Sequence, residues 1–264
     1  MTTLRIATYN IHKGFSQFNR RMVVHELRER LRAISADIVF LQEVQGMHLR
    51  HARKHPHWPE QPQHEFLAED MWPATAYGGN AIYDHGHHGN AILSRYAILK
   101  SDNQDVSNSR LERRGLLHCE MEFNGATHHL HCVCVHLSLT AASRRRQMGS
   151  LVERIEALVP EDAPLIIAGD FNDWHNRADN LLAERLGLTE VFCGIQGHPA
   201  RSFPSTLPVF RLDRIYVRGF AVASAEVHFG PPWSRISDHA ALSAEILPTA
   251  GTASPARVAQ TAYA

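Results

Sequence analysis

Apolar and polar positions alternate along the chain in two rhythms. Leu4-Arg-Ile-Ala-Thr-Tyr-Asn10 alternates and ends polar, the pattern of a strand. Val23, Leu27, Leu31 and Ile34 recur at steps of four, four and three, which predicts an amphipathic helix. Asp37-Ile-Val-Phe-Leu41 is a short apolar run and predicts a second strand, ending at Gln42-Glu43. From about His48 to Tyr77 the rhythm breaks up around Pro56, Pro59, Pro62 and Pro73, so a long loop region is predicted. Three more strands are predicted over Asn90–Ser94, Leu116–Phe123 and His129–Leu137, with Asn124-Gly125 as a hairpin turn between the last two. Met148, Leu151, Ile155 and Leu158 repeat at helical steps and stop at Pro160. Leu165-Ile-Ile-Ala168 predicts a strand, and a short helix through Leu181 and Leu182 follows, capped by Gly187. Arg211–Val217 and Ala240–Ile246 are predicted as the last two strands. Strands outnumber helices and short turns join several of them. The predicted fold class is therefore α/β (α+β): two mixed sheets packed face to face, with helices outside. Residues 1–247 are expected to form one domain, and 248–264, made of Ala, Thr, Ser, Pro and Gly for the most part, a disordered tail.

Composition narrows the picture. The 264 residues are 44% hydrophobic and 20% charged, enough to bury a core without disulfide or metal staples. Lys+Arg and Asp+Glu are both 27, so binding of nucleic acid by bulk charge is excluded and any such site must be local. No apolar stretch is long enough for a transmembrane segment, and the N-terminus shows no signal-peptide pattern. Cys119, Cys132, Cys134 and Cys193 form no C-x-x-C pair. Cys132 and Cys134 share one strand face and read as small buried hydrophobes in a reducing compartment, so a cytoplasmic location is expected. Of the 19 histidines, the groups in His48–His64 and at His85, His87 and His88 read as mostly surface residues. Arg144-Arg-Arg146 reads as a solvated face, with Arg144 and Gln147 anchoring their helix to the core. Trp58, Trp72 and Trp174 read as packing residues.

One pattern carries chemistry. Apolar strands end abruptly in polar groups: Asn10, Glu43, His136, and Asp170 with Asn172. Asp213 lies within a predicted strand, and Asp238-His239 precedes another. If these positions meet at one sheet edge they form a carboxylate-rich pocket, which suits a hard divalent cation bound through oxygen.

Taken together, Thr8-Tyr-Asn-Ile-His12, Leu41-Gln-Glu-Val44, Gly89-Asn-Ala-Ile-Leu-Ser-Arg95, Arg114-Gly115, Val135-His-Leu137, Gly169-Asp-Phe-Asn172, Arg211-Leu-Asp-Arg-Ile215 and Ser237-Asp-His-Ala240 cover residues 4–247. In that order they resemble the endonuclease/exonuclease/phosphatase (deoxyribonuclease I-like) superfamily, and within it the uncharacterised bacterial YbhP-type members. The resemblance implies a four-layer sandwich, with two packed mixed sheets flanked by helices. It also implies a phosphoester hydrolase of the phosphodiesterase kind, using Mg²⁺ or Mn²⁺ to assist attack of water on phosphorus. By motif, Glu43 binds the ion, with Asn10 and Asp238 as further metal residues. His239 matches the catalytic histidine and Asp213 its orienting carboxylate. Asp170 matches the residue that positions or deprotonates the water; whether Asp170 or His239 takes the proton stays open. Asn10 and Asn172 match holders of phosphoryl oxygens. His136 matches a histidine that contacts phosphate or assists the leaving oxygen, and Arg114 a phosphate clamp. His12, His88 and Asn90 are accessory candidates.

The substrate stays open between nucleic acid, a phospholipid headgroup as in sphingomyelinase-like enzymes, and a small phosphorylated metabolite. The second would bring peripheral membrane contact. No obligate protein partner is implied. The non-enzyme alternative is a binding module on the same fold. It requires a broken catalytic position, and none is found among Asn10, Glu43, Asp170, Asn172, Asp213, Asp238 and His239.

Overall fold

The apolar runs become the inner strands of two six-stranded sheets. The computed structural model describes residues 3–17, 21–109, 112–123, 129–174 and 178–249. Among them the strands are β1 (Leu4–Asn10), β2 (Ile38–His48), β3 (Ala74–Tyr83), β4 (Gly86–Ser94), β5 (Ile98–Asp105) and β6 (Gly115–Met121). The rest are β7 (Leu130–His136), β8 (Leu165–Asp170), β9 (Thr189–Glu190), β10 (Asp213–Arg218), β11 (Phe220–His228) and β12 (Ala241–Pro248). The first sheet has the order β11-β12-β1-β2-β4-β3 and the second β5-β6-β7-β8-β10-β9. β1 with β2 and β7 with β8 pair parallel, and the other pairs run antiparallel, so both sheets are mixed.

The helices are α1 (Val24–Ile34), α2 (Leu49–Lys54), α3 (Gln63–Ala68), α4 (Ala141–Leu158), α5 (Ala178–Leu186) and α6 (Val191–Gln196). The predicted stripe of α1 is buried, and with Phe66, Leu67 and Trp72 it covers the outer face of the first sheet. Met148, Leu151 and Ile155 of α4 cover the outer face of the second, whereas Leu158 at the helix end is exposed. Between the sheets lie Leu4, Ile6, Ile38, Phe40 and Ile92 from one side and Leu117, Cys119, Cys132, Cys134, Ile166, Ala168 and Ile215 from the other. The two-sheet sandwich flanked by helices is thus the architecture the sequence implies.

Some expectations are corrected. The region 48–77 is not a structureless loop. It holds α2, α3 and the start of β3, and the indole of Trp72 donates to the carbonyl of Ala36 at 2.9 Å. Nor does β2 stop at Glu43. It runs on to His48 through a bulge, because its register with β4 shifts between Leu41 and Val44. Strands β3, β5, β9 and β11 went unpredicted. The cysteines are free; Cys132 and Cys134 are buried as expected, and Cys119 is buried with them. The Asn124-Gly125 turn and the tail beyond residue 249 lie outside the described residues.

Candidate active site

Alternation decides where the polar strand ends point. In β7, Cys132, Cys134 and His136 share the face turned towards the other sheet, as do Ile166, Ala168 and Asp170 in β8, and Ile215 and Asp213 in β10. Register aligns the three ends: His136 lies opposite Asp170, and Asp170 opposite Asp213. The inter-sheet layer therefore turns from apolar to polar along its length. Thr8, Gln42 and Asn90 form the transition. The Gln42 amide donates to Thr8 Oγ1 and Cys134 Sγ, each at 3.2 Å, and Asn90 Nδ2 donates to the carbonyls of Gly115 and Cys134. Asn90 thus ties the two sheets together beneath the site.

Above that layer the predicted residues converge. Asp170 is central. Its Oδ2 accepts from Asn10 Nδ2 at 3.2 Å and lies 3.5 Å from His136 Nε2 and 3.8 Å from His239 Nε2. Its Oδ1 accepts from the backbone of Asn172 at 2.9 Å. The Asn172 residue adopts a left-handed φ of 49°, and its amide donates to the carbonyl of Leu137. Asn172 thus fixes the turn that carries Asp170, with its amide nitrogen already engaged. His239 Nδ1 and Asp213 Oδ2 are 2.8 Å apart, and Asp213 is fully buried. Ser237 locks the approach to this pair: its hydroxyl donates to the carbonyl of Asn10 and accepts from the backbone of His239.

A second group lines the mouth. The short 3-10 turn His12–Gly14 follows β1, with His12 and Lys13 both at positive φ. His12 Nδ1 is 3.2 Å from Asp238 Oδ1, and Lys13 Nζ is 3.5 Å from Glu43 Oε2. Glu43 sits in the β2 bulge at φ 56°, a left-handed conformation that costs a non-glycine residue roughly 1–3 kcal/mol. His88 is half-buried, within electrostatic reach of Lys13, Glu43 and Arg114. The Arg114 guanidinium donates to the carbonyl of Leu137 and to Glu112, beside the turn that follows His136.

The electrostatics follow from burial and from this packing. Burial lifts the Asp170 carboxyl to about 7, against the pull of His239. Burial alone would lower His239, but the carboxylates of Asp213 and Asp170 outweigh it and hold the imidazole up at about 10. His136 goes the other way, well below the ordinary histidine value, because it is buried beside Arg114 and His239. Burial pushes Asp238 up, yet its bond to His12 and the charge of His239 leave it below the usual carboxylate value. Near neutral pH the site therefore holds a charged His239 paired with Asp213 and a neutral His136.

The chain matches the Endonuclease/Exonuclease/phosphatase family over residues 7–239. It belongs to that family. Members are generally phosphoester hydrolases. The uncharacterised protein YbhP of Escherichia coli K12 is 46% identical over 244 residues, covering 92% of this chain and 96% of that one. Among solved structures, D. rerio TDP2 complexed with single strand DNA product matches with a TM-score of 0.68 at 20% identity, over 94% of this chain and 100% of that one. The mannosyl-6-phosphatase Bt3783 of Bacteroides thetaiotaomicron matches at 0.69 and 16%, over 92% and 99%. At such identities the shared feature is the fold.

Lys13 escaped the sequence reading, although it stands in the same Asn-Ile-His-Lys-Gly run as Asn10. So did an aromatic wall beside His239. The Phe203 ring lies 5.1 Å from the His239 ring, and Phe210 packs against Phe203 and, at 4.8 Å, against Trp174. Trp174 is exposed, unlike Trp72 in the core and half-buried Trp58, which packs on Phe15 and His51. The histidines are not mainly on the surface either. His64 is buried and stacked on Tyr77, and His48, His51 and His55 pack edge and face around α2. The helical signal was present in His51-Ala-Arg-Lys-His55. Of the arginine run, Arg145 and Arg146 are exposed, whereas Arg144 is buried and donates to the carbonyls of Ser138 and Leu139. No helix among the described residues is long and apolar enough to cross a membrane.

Proposed function

We propose that the protein is a divalent-metal-dependent phosphodiesterase. The observation that carries this reading is the convergence of the Asp213–His239 dyad, Asp170, Asn10 and His136 at the rim where Glu43 and Asp238 stand.

Two donor sets compete for an ion. Asp170, Asp213 and His239 bring their ligand atoms within 4.8 Å of one another. In that set the His239 nitrogen facing Asp213 is already hydrogen-bonded at 2.8 Å, deep in the core, which makes the pair an orienting dyad. Glu43 and Asp238 offer partly exposed carboxylate oxygens at the mouth, with the buried Asn10 amide oxygen beneath them accepting from the His12 backbone, and the left-handed bulge holds Glu43 there at a conformational cost. Two carboxylates and an amide fit Mg²⁺ or Mn²⁺. Such an ion supplies Lewis-acid activation of the phosphoryl group and offsets its developing charge.

The chain's own residues supply the rest. Asp170, positioned by Asn10 and by the Asn172 backbone, receives the proton of the attacking water. His239, kept charged by Asp213, donates a hydrogen bond to a phosphoryl oxygen. His136 and Arg114 flank the phosphate, and Lys13 sets the electrostatics of the mouth with Glu43. With Mn²⁺ or Mg²⁺, bis(p-nitrophenyl) phosphate is hydrolysed faster than the monoester, and chelator removes the activity until the metal is returned. Asp170→Asn and His239→Gln each lower kcat/KM by about 10²–10⁴. A metal-replete protein inert on diesters, or an Asp170→Asn variant of full activity, overturns the reading.

A second reading concerns the diester. Leu207 is 71% exposed, Val209 48% and Phe229 52%, all near the Phe203–Phe210–Trp174 wall. An apolar rim beside the dyad favours a phospholipid headgroup diester over a highly charged polymer. Release of phosphoglycerol or phosphocholine from liposomes, against cleavage of plasmid DNA or RNA, separates the two.

A further inference from the structure

β7 carries histidines at both ends. His136 closes it at the cleft, and His131 lies five residues back, roughly 17 Å away at strand spacing. At that far end, on the face covered by α4, His131 is 6% exposed and His118 of β6 is 8% exposed. His118 Nε2 lies 3.0 Å from His131 Nδ1. Register sets Glu120 opposite His131 and Asp102 opposite His118, so the four side chains share one sheet face. They open into a cavity of about 390 Å³, also lined by Lys100, Arg154 and Leu158.

Two imidazoles in nitrogen-to-nitrogen contact cannot both present a proton there, and burial disfavours a charged pair. In a tetrahedral zinc site with bonds of 2.0–2.1 Å, two ligand nitrogens stand about 3.3 Å apart. The observed pair is within a few tenths of an ångström of that spacing. Arg154 is committed to Asp102 at 2.6 Å and to Gln104 at 3.2 Å, and Glu120 to His129 at 2.5 Å. The two cations and two carboxylates of the lining cancel, which leaves the neutral imidazole pair as the site's distinctive chemistry.

We propose that His118 and His131 are the fixed half of a transition-metal site of the zinc class, separate from the cleft and completed when Glu120 and Asp102 rotate and exchange His129 and Arg154 for the ion. On binding, the hydrogen between the rings moves to the outer nitrogen of its own ring, so both imidazoles bind neutral. Mixed nitrogen and carboxylate donors select Zn²⁺ or Co²⁺ over Mg²⁺.

The test uses untagged, chelator-stripped full-length protein and the metal alone. Zn²⁺ calorimetry and the visible absorption of four-coordinate Co²⁺ are expected to show a site that survives in Glu43→Gln and in His51→Gln. His118→Gln and His131→Gln are each expected to weaken it by roughly 100-fold. Side-chain nitrogen NMR of the wild-type protein covers the case in which a variant fails to fold, since Zn²⁺ must then shift the imidazole resonances of His118 and His131. Wild-type affinity in His118→Gln, loss in Glu43→Gln or His51→Gln, or unmoved His118 and His131 resonances overturns the proposal. Diester hydrolysis with Mg²⁺ should be unchanged in His118→Gln, so the two functions are separable.

Discussion

Glu43 shows how one backbone torsion aims a charge. The residue sits at φ 56° in a bulge, and an ordinary strand would turn its carboxylate elsewhere. Asn tolerates the left-handed region better than Glu. Glu43→Asn is therefore expected to stabilise the fold by about 1 kcal/mol, seen as a rise in Tm of roughly 2–4 °C, while metal-dependent turnover falls. A lower Tm would show that the bulge carries no strain. Most site residues were legible because each is a polar group ending an apolar run. Lys13 was not, because its place depends on two consecutive left-handed residues in a three-residue turn. His118 and His131 were not, because each is the other's partner across a strand pair and no motif marks them.

Among the elements, legibility followed position in the sheet. The four unpredicted strands β3, β5, β9 and β11 are the four edges. Inner strands are sandwiched by layers and read as continuous apolar runs. An edge such as β5, Leu99-Lys-Ser-Asp-Asn-Gln-Asp105 after Ile98, is largely exposed and carries almost no alternation. Parallel pairing of β7 with β8 depends on Gly169, which has φ 148°. A Cβ there would stand 2.0 Å from the carbonyl oxygen of Val135. Gly169→Ala must push the two strands apart just before His136 and Asp170. It is expected to cost 2 kcal/mol or more, roughly, in urea unfolding and to remove activity, whereas Gly149→Ala, in open space on α4, is expected to be neutral or stabilising.

For the whole molecule, buried histidines set the acid limit. Burial lowers His64 to about 4, and His118 likewise. Between the unfolded value near 6.5 and the folded value near 4, the unfolded chain binds more protons, so stability falls as pH falls through that window. Each such histidine contributes a slope approaching about 1.4 kcal/mol per pH unit within the window. Asp170, whose affinity is raised, works in the opposite direction and cancels about one of them. Urea midpoints at pH 7 and pH 4.5 should show the loss, and His64→Phe, which keeps the stack on Tyr77, should flatten it by one proton; an unchanged slope would rule out burial of His64 as its source. The gradient of the inter-sheet layer has a further consequence. Ala168 and Cys134 lie one step beneath Asp170 and His136, on the same faces and behind the candidate site. They are spacers beneath it: a bulkier side chain at either position would lift the carboxylate or tilt the imidazole from behind. A change in the proposed site's geometry can therefore begin in the packing, one step below the residues that line it.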